Sequence, residues 1–290
     1  MLPAPQTILR RFTRRAYRVR GLARLAERVR IASVGRSQVV VIDDFDGDLK
    51  FRCFLNEHIG SLMYWRGCYS CHILALLDRI LSSSMTFLDI GANQGEFTLF
   101  AAKRLSAGCV IAFEPVPYLY DRLTLNVQMN GLHNVIPVSK GVAAAPGLVP
   151  IYSSKTSFSD GSINEGLATL FATEERNTLL GTVPVIRLDD IVEEMGLTQV
   201  DVIKLDIEGA ELPALQGGGR TIERFRPVVL LEVSDETCRA AGHTTADVLD
   251  YLSNLGYSFE EILEAGRTRA ITRATLGAHQ NLVAWPRLSP

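Results

Sequence analysis

The sequence predicts an α/β fold in which helices cover both faces of a mostly parallel sheet. From Met85 onward, short runs rich in β-branched residues alternate with amphipathic segments. Such alternation builds a parallel sheet, because the connection between neighbouring parallel strands crosses the sheet as a helix. The predicted strands are 86–90, 109–114, 134–139, 200–205 and 227–233, and the predicted helices are 71–81, 95–105, 117–130, 209–216 and 244–255.

Two further patterns flank this alternation. Residues 38–44 and 49–55 alternate apolar and polar side chains around an Asp-Gly-Asp turn, which predicts a β-hairpin. Residues 256–263 and 280–286 predict two strands with no helix of normal length between them. We therefore expect at least one of the two to run antiparallel at the end of the sheet.

The alternation is interrupted between residues 143 and 185, where Ser, Gly and Thr are frequent. This insertion could cover a substrate, or it could be a flexible surface loop. The sequence contains no internal repeat and no low-complexity linker. We therefore predict one domain, residues 38–290, preceded by an N-terminal extension of residues 1–37.

The composition is that of a globular protein, with 47% hydrophobic residues in a chain of 290. No run of about 18 apolar residues exists, which excludes a membrane-spanning helix. The five cysteines are few and odd in number, so we expect a reducing compartment, the cytoplasm. Cys68 and Cys71 form a lone C-x-x-C pair, which predicts core or edge cysteines rather than a metal site. We predict no metal site.

The N-terminal extension is strongly basic. Residues 1–36 contain ten arginines and one acid, a charge of +9, which leaves −11 for the rest of a chain of net charge −2. Apolar residues three or four apart predict an amphipathic helix: Ile8, Phe12, Ala16, Val19, Ala23 and Ala26.

Such a helix could pack on the domain with its arginines solvated, hold an acidic partner or lie on an anionic membrane. Peripheral membrane contact through residues 7–33 is therefore one prediction. We expect no nucleic-acid partner, since aromatic residues are not interleaved with the arginines. A secretory signal is not expected, because no apolar core follows the basic stretch.

The loop after the first predicted parallel strand, in "LDIGANQGEF", has the features of a ligand site. Gly91 and Gly95 permit a sharp turn and a close approach to a ligand, and the following helix presents free N–H groups to an anion. The spacing matches neither a dinucleotide loop nor a P-loop. Asp89 would suit an ammonium group, so the pattern favours the amino-acid end of a zwitterionic ligand. The alternative is a tight turn without a ligand.

Glu114 supplies a second indication of the ligand. It follows an apolar strand at the position where doubly wound sheets place the acid that binds ribose hydroxyls. A ribose and an amino acid in one ligand indicate S-adenosylmethionine. A solvated Glu114 at a strand end is the alternative, and it becomes less plausible when both elements occur in one chain.

These motifs resemble the FkbM-type methyltransferases, a branch of the Rossmann-like S-adenosylmethionine-dependent methyltransferases. The resemblance covers residues 38–286. Its most specific parts are Asp89-x-Gly91-Ala92-Asn93-x-Gly95 and Lys204-x-Asp206-x-Glu208-Gly209-x-Glu211.

The resemblance implies a seven-stranded sheet whose last strand is inserted antiparallel. It also implies O-methylation of a hydroxyl on a sugar, glycolipid or polyketide-type metabolite. In the cofactor site, Glu114 would bind the ribose, and the methionine end would be shaped by Asp89, Gly91, Asn93 and Gly95.

Acidic residues follow the strand that ends at Leu205. Lys204 lies among apolar neighbours and needs a partner, which Asp206, Glu208 or Glu232 could supply. We predict that these four residues meet beside the cofactor's sulfonium and that Asp206 or Glu208 accepts the hydroxyl proton. Three alternatives remain open: purely stabilising ion pairs, a divalent cation on Asp206 and Glu208, and catalysis by proximity alone.

Two rival functions remain at this point. The acceptor could be nitrogen or carbon, although no Asn-Pro-Pro-Tyr motif follows the fourth strand, which favours oxygen. The chain could also be a catalytically inactive binding protein with the same fold. The expected partner is a small-molecule, glycan or glycolipid acceptor, and the sequence makes no prediction of oligomeric state.

Overall fold

The computed structural model describes residues 4–17, 19, 21–33, 38–153, 160–162, 168–174 and 176–287. They divide into two compact units. The first comprises the described residues of 1–70 and 154–166, and the second comprises those of 71–153 and 167–290. The predicted boundary between residues 37 and 38 adjoins a segment outside the described residues, and it stays a prediction.

The first unit contains three helices and a β-hairpin. Strands β1 and β2 pair antiparallel at the predicted position, and the turn between them has Asp46 and Gly47 at positive φ. Phe45 and Phe51 are buried and pack edge to face. The elements are α1 (Ala4–Tyr17), α2 (Ala23–Ile31), β1 (Val39–Phe45), β2 (Leu49–Phe54) and α3 (His58–Trp65).

The buried side of α1 is not the one that the apolar pattern predicts. Arg10, Thr13 and Ala16 are buried, whereas Ile8 and Phe12 are exposed. The physical reason lies in α3. The carbonyl groups of its last turn have no hydrogen-bond donors within the helix, and arginine side chains can donate to them.

Arg10 and Arg14 supply these donors. The carbonyl oxygen of Tyr64 accepts from Nε of Arg10 at 3.2 Å and from Nε of Arg14 at 3.1 Å. Nη2 of Arg14 donates to the Met63 carbonyl at 3.0 Å, and both guanidinium groups pair with the Asp44 carboxylate. Hydrogen bonds and ion pairs, rather than apolar contacts alone, therefore hold α1 in this unit.

The second unit contains the predicted alternation, and most predicted elements are confirmed to within one or two residues. Its helices are α4 (Cys71–Ile80), α5 (Glu96–Arg104), α6 (Pro117–Met129), α7 (Leu188–Glu194), α8 (Glu211–Gly217), α9 (Gly219–Phe225), α10 (Asp235–Ala240) and α11 (Thr245–Asn254). Its strands are β3 (Thr86–Ile90), β4 (Cys109–Phe113), β5 (Val135–Val138), β6 (Gly141–Val142), β7 (Gly147–Ser153), β8 (Thr178–Ile186), β9 (Val202–Leu205), β10 (Val228–Ser234), β11 (Tyr257–Ile262), β12 (Thr268–Ala270) and β13 (His279–Pro286).

The main sheet has the order β12-β11-β13-β10-β9-β3-β4-β5. Strands β10, β9, β3, β4 and β5 are parallel, and β13 is inserted antiparallel between β10 and β11. All five residues of β3 and all four of β9 are buried, so both faces of the sheet are covered at its centre. The predicted fold class is confirmed, and the three-residue β12 adds an eighth strand to the seven expected.

The insertion between residues 143 and 185 contains regular structure. Strands β7 and β8 pair antiparallel, and with β6 they form a separate three-stranded sheet. Within the insertion, residues 154–159, 163–167 and 175 lie outside the described residues. The alternative of a flexible surface loop therefore does not hold for β7 and β8. Polar and apolar residues alternate too weakly in these two segments to predict strands from the sequence.

Cys53, Cys109 and Cys238 are free, whereas Cys68 and Cys71 are disulfide-bonded. The structure thus differs from the expectation that the cysteines are reduced. In the part of the chain that is described, no helix combines the length and apolar character needed to cross a bilayer.

Candidate functional site

The loop after β3 packs backbone to backbone against the turn after β9. Gly91 has φ of +80°, and a Cβ at this position would lie 2.1 Å from the carbonyl oxygen of Asp206. Gly95 has φ of +97° and Asn93 has φ of +51°. Only glycine fits position 91, because both the conformation and the space exclude a side chain. The two most specific motifs of the sequence therefore meet at the carboxyl edge of the sheet.

Asp89 lies in β3 and is fully buried. Its Oδ2 accepts a hydrogen bond of 2.5 Å from the hydroxyl of Thr98 in the first turn of α5. Its Oδ1 accepts no hydrogen bond from the described residues and lies 3.6 Å from Nζ of Lys204. A buried acceptor of this kind is one that a bound ligand or water can satisfy.

Glu114 follows β4 and joins two loops. Its Oε2 accepts from the backbone N–H of Asn93 at 2.8 Å, and its Oε1 accepts from that of Val116 at 2.9 Å. The side chain is buried rather than solvated, and burial raises the pKa of its carboxyl to about 7 despite these two hydrogen bonds. Each carboxylate oxygen keeps a further lone pair, with which it could accept from a ribose hydroxyl.

Lys204 lies in β9 and has three close partners. Its Nζ donates to the carbonyl oxygen of Gly91 at 2.8 Å and lies 3.5 Å from Oδ2 of Asp206. The third partner is the Asp89 carboxylate. Burial opposes the charge of the ammonium group, but the Asp206 and Asp89 carboxylates outweigh it and raise the pKa of Lys204. The sequence indicated Asp206 as a partner and missed both Gly91 and Asp89.

Asp206 borders a cavity of about 10 Å³, which has room for about one water molecule, at the same edge of the sheet. Lys204, Glu232 and Asn281 also line this cavity. Burial raises the pKa of the Asp206 carboxyl to about 7; Lys204 acts against this shift and Glu232 adds to it. A carboxyl with such a pKa exchanges its proton near neutral pH, as a general base must.

Glu232 pairs with a residue that the sequence did not indicate. Its Oε1 lies 2.9 Å from Nε2 of His279, on the neighbouring antiparallel strand β13. The hydrogen bond to Glu232 raises the pKa of His279, while burial acts in the opposite direction. No local pattern marks His279, because only the insertion of β13 beside β10 brings it to this edge.

Glu208 faces Arg176 rather than Lys204. Its Oε2 lies 2.6 Å from Nη1 of Arg176, and its carbonyl oxygen accepts from the Thr169 hydroxyl at 2.7 Å. Of the three partners considered for Lys204, Glu208 is paired with Arg176 instead, because the connection between β7 and β8 supplies a nearer cation. Arg176 and Thr169 gave no sequence signal, since they lie in the irregular part of the insertion.

Glu211 holds the turn that carries Glu208. The buried carboxylate accepts from the backbone N–H of Ile207 at 3.1 Å and from that of Gly209 at 3.0 Å. Burial raises the pKa of Glu211 to about 8. Glu208 itself has φ of +54°, a conformation that a non-glycine residue adopts only when its surroundings impose it.

The residues at this edge fit S-adenosylmethionine. The unsatisfied Asp89 oxygen suits an ammonium group, and the N-terminal turn of α5 suits a carboxylate. Glu114 stands at the ribose position of a doubly wound sheet. Within the described ranges, no group of three or more His, Cys, Asp or Glu side chains is arranged to hold a metal ion.

Comparison with known proteins gives matches over much of the chain. The sequence profile of the Methyltransferase FkbM domain matches residues 89–259. Methyltransferase sdnD of Sordaria araneosa is 30% identical over an alignment of 167 residues, and the match covers 47% of this chain and 61% of that protein.

Two further relatives have names that state an acceptor or a position. Hexuronic acid methyltransferase AglP of Haloferax volcanii is 28% identical over 59% of this chain and 63% of its own length. The 2-O-methyltransferase NoeI of Sinorhizobium fredii is 25% identical over 67% of this chain and 79% of its own length.

The chain thus spans less than two thirds of the length of sdnD and AglP. The profile match nevertheless covers more than half of this chain, and it includes the loop at Gly91, Glu114 and the edge at Asp206. The chain therefore belongs to the FkbM methyltransferase family.

Proposed function

We propose that this chain is an S-adenosylmethionine-dependent methyltransferase that methylates a hydroxyl group of a sugar, a glycolipid or a polyketide-type metabolite. The observation that carries the proposal is the contact between the Gly91 loop and the Asp206 turn. It sets residues suited to the cofactor beside the turn that carries Asp206. Family membership supports methyl transfer. The name of AglP supports a hexuronic acid as the kind of acceptor, and the name of NoeI supports transfer to oxygen.

In the proposed cofactor site, Gly91, Asn93 and Gly95 shape the pocket for the methionine end. Asp89 receives the ammonium group through the oxygen that has no hydrogen bond. Glu114 receives the ribose hydroxyls while it keeps its two backbone hydrogen bonds. When bound, the cofactor supplies a methyl group made electrophilic by its sulfonium.

The chain's own residues must hold the acceptor hydroxyl in line, exclude water and accept its proton. Asp206 is the proposed proton acceptor, because it lies on the turn that packs against the Gly91 loop and its pKa of about 7 matches neutral pH. Glu208 is the second candidate, and its ion pair with Arg176 makes it less available. Lys204 orients the Asp206 carboxylate at 3.5 Å, and Glu232 lines the same water-sized cavity as Asp206.

The test uses the full chain with deuterium-methyl S-adenosylmethionine and an extract of candidate acceptors, analysed by mass spectrometry. We expect a mass gain on a hydroxyl of a sugar or glycolipid. Asp206→Asn should lower turnover by about 10²–10⁴-fold, the usual contribution of a general base. Near-normal turnover in both Asp206→Asn and Glu208→Gln would refute a base role for either residue.

Three further outcomes separate the alternatives. Loss of activity in chelator would favour a divalent cation on Asp206 and Glu208. A labelled nitrogen or carbon would replace the O-methylation proposal. Cofactor binding in a thermal shift assay without any transfer would favour a binding protein. The predicted membrane contact of residues 7–33 stays separate from this function, because transfer to a soluble sugar would not require it.

A further inference from the structure

The two N-terminal helices leave apolar side chains exposed. Of the thirteen large hydrophobic side chains that are exposed in the described part of the chain, seven lie between residues 8 and 31. They include Ile8 at 69% and Phe12 at 52% in α1, and Leu25 at 47% and Ile31 at 43% in α2. Single exposed apolar residues are normal, whereas a concentration of them marks an interaction surface.

Arginines share the exposed side of each helix. With about 100° between successive residues, Ile8 and Phe12 lie on the same side of α1 as Arg11 and Arg15. All four side chains are exposed. Each apolar side chain on this side of α1 therefore has a guanidinium group beside it.

The same arrangement recurs in α2. Arg24 and Arg28 are exposed, and Leu25 and Ile31 flank them on the solvent side of the helix. The opposite side carries the buried Ala26 and Arg30, of which Arg30 is paired with Glu27 and Asp160. The exposed side is thus distinct from the side that packs within the unit.

We propose that an anionic lipid bilayer covers this exposed helical surface, defined as Ile8, Arg11, Phe12, Arg15, Arg24, Leu25, Arg28 and Ile31. Helices that lie in a bilayer interface bury apolar side chains at the boundary of the acyl chains. Arginine side chains beside them extend to the lipid phosphates, and each adds attraction to an anionic surface. The inference does not rest on the proposed methyl transfer.

Charge and composition favour lipid over two other occupants. A second copy of the chain would bring together two surfaces that each expose Arg11, Arg15, Arg24 and Arg28, which costs free energy through like-charge repulsion. A nucleic acid would favour aromatic side chains for base stacking, and Phe12 is the one exposed aromatic residue among the large hydrophobic side chains of the described helices.

The test is co-sedimentation of the full chain with vesicles of phosphatidylcholine, with and without phosphatidylglycerol. We expect binding only to the anionic vesicles and weaker binding in high salt. The double variant Ile8→Ser/Phe12→Ser should bind at least about tenfold more weakly, because two apolar side chains no longer enter the interface. Arg24→Ser/Arg28→Ser should also lose about tenfold or more.

Matched controls lie in the second unit. Leu148→Ser removes an apolar side chain that is 73% exposed, and Arg267→Ser removes an exposed arginine. Neither should change vesicle binding. All variants alter exposed side chains, and circular dichroism will verify their folding. Methyl transfer to a water-soluble acceptor should stay unchanged in every variant, which separates this surface from the proposed active site.

Several results would overturn the proposal. One is the absence of sedimentation with anionic vesicles. Another is binding to neutral vesicles that is as strong as binding to anionic vesicles and that none of the substitutions weakens. Self-association in analytical ultracentrifugation that Phe12→Ser abolishes, without vesicle binding, would assign the surface to a second copy. Binding of single-stranded RNA with the same dependence on Arg24 and Arg28, again without vesicle binding, would assign it to nucleic acid.

Discussion

Lys204 donates a hydrogen bond of 2.8 Å from its Nζ to the carbonyl oxygen of Gly91. This bond joins the central strand β9 to the glycine loop after β3. The same Nζ lies 3.5 Å from a carboxylate oxygen of Asp206 and 3.6 Å from one of Asp89. One buried ammonium group therefore holds together the motif that begins at Asp89 and the motif that begins at Lys204.

Replacement of Lys204 by methionine should destabilise the fold. The substitution keeps most of the side-chain volume but leaves the Asp89 and Asp206 carboxylates without their cation, which costs about 3–5 kcal/mol when a buried pair is broken. Denaturant unfolding will measure the change. The control Lys140→Met replaces an exposed lysine and should stay within about 0.5 kcal/mol. Equal free energies of unfolding for the two variants would show that the contacts of Lys204 with Asp89 and Asp206 do not stabilise the fold.

Replacement of Gly91 by alanine should be far more costly than replacement of Gly131. Both glycines have positive φ, but a Cβ at position 131 meets nothing within 4 Å, whereas at position 91 it meets the Asp206 carbonyl at 2.1 Å. Gly131→Ala should cost about 1–2 kcal/mol through its backbone conformation alone. Gly91→Ala should cost more and should weaken S-adenosylmethionine binding by at least tenfold, as measured by calorimetry. Similar affinity in the two variants would contradict the proposed cofactor loop.

The reaction rate should rise with pH through about 7. Asp206 accepts a proton only as a carboxylate, and its pKa of about 7 places that ionisation near neutral pH. The measurement is kcat/KM between pH 5 and 9 with a soluble acceptor. Glu114 has a similar pKa, so Glu114→Gln serves as the control and should keep the rising limb. Persistence of this limb in Asp206→Asn would remove Asp206 from the role of base.

The stability of the fold should decrease as pH rises from about 5 to 8. The folded-state pKa of Glu211, about 8, lies above the unfolded value of about 4.3, so the folded state binds more protons in this window. Ionisation of one such group lowers the unfolding free energy by at most about 1.4 kcal/mol per pH unit. Denaturant unfolding at several pH values will measure the slope. Glu211→Gln should reduce the slope, to which the raised pKa values of Glu114 and Asp206 also contribute. An unchanged slope would contradict the raised pKa of Glu211.

The periodicity of the sequence was sufficient to predict the elements of the second unit. The helix predicted at 117–130 occurs as Pro117–Met129, and the strand predicted at 86–90 occurs as Thr86–Ile90. Such boundaries follow from local spacing, because apolar side chains recur with the period of the element that buries them. The N-terminal helices are the exception. Their spacing predicts helices, but it does not say which side will find partners.

The amino-acid sequence already shows which residue types stand at the carboxyl ends of the strands, among them Asp89, Glu114 and Asp206. Each follows or closes an apolar run that is visible without any knowledge of the fold. These residues make the cofactor predictable, because their chemistry matches separate parts of one ligand.

Which of these side chains pair depends on the order of the strands in the folded chain. Lys204 reaches Gly91 because β9 lies beside β3, and Glu232 reaches His279 because β13 is inserted antiparallel beside β10. Glu208 is held by Arg176 from the connection between β7 and β8. Strand order and the path of an insertion depend on contacts between distant segments, so the period of a local pattern does not contain them.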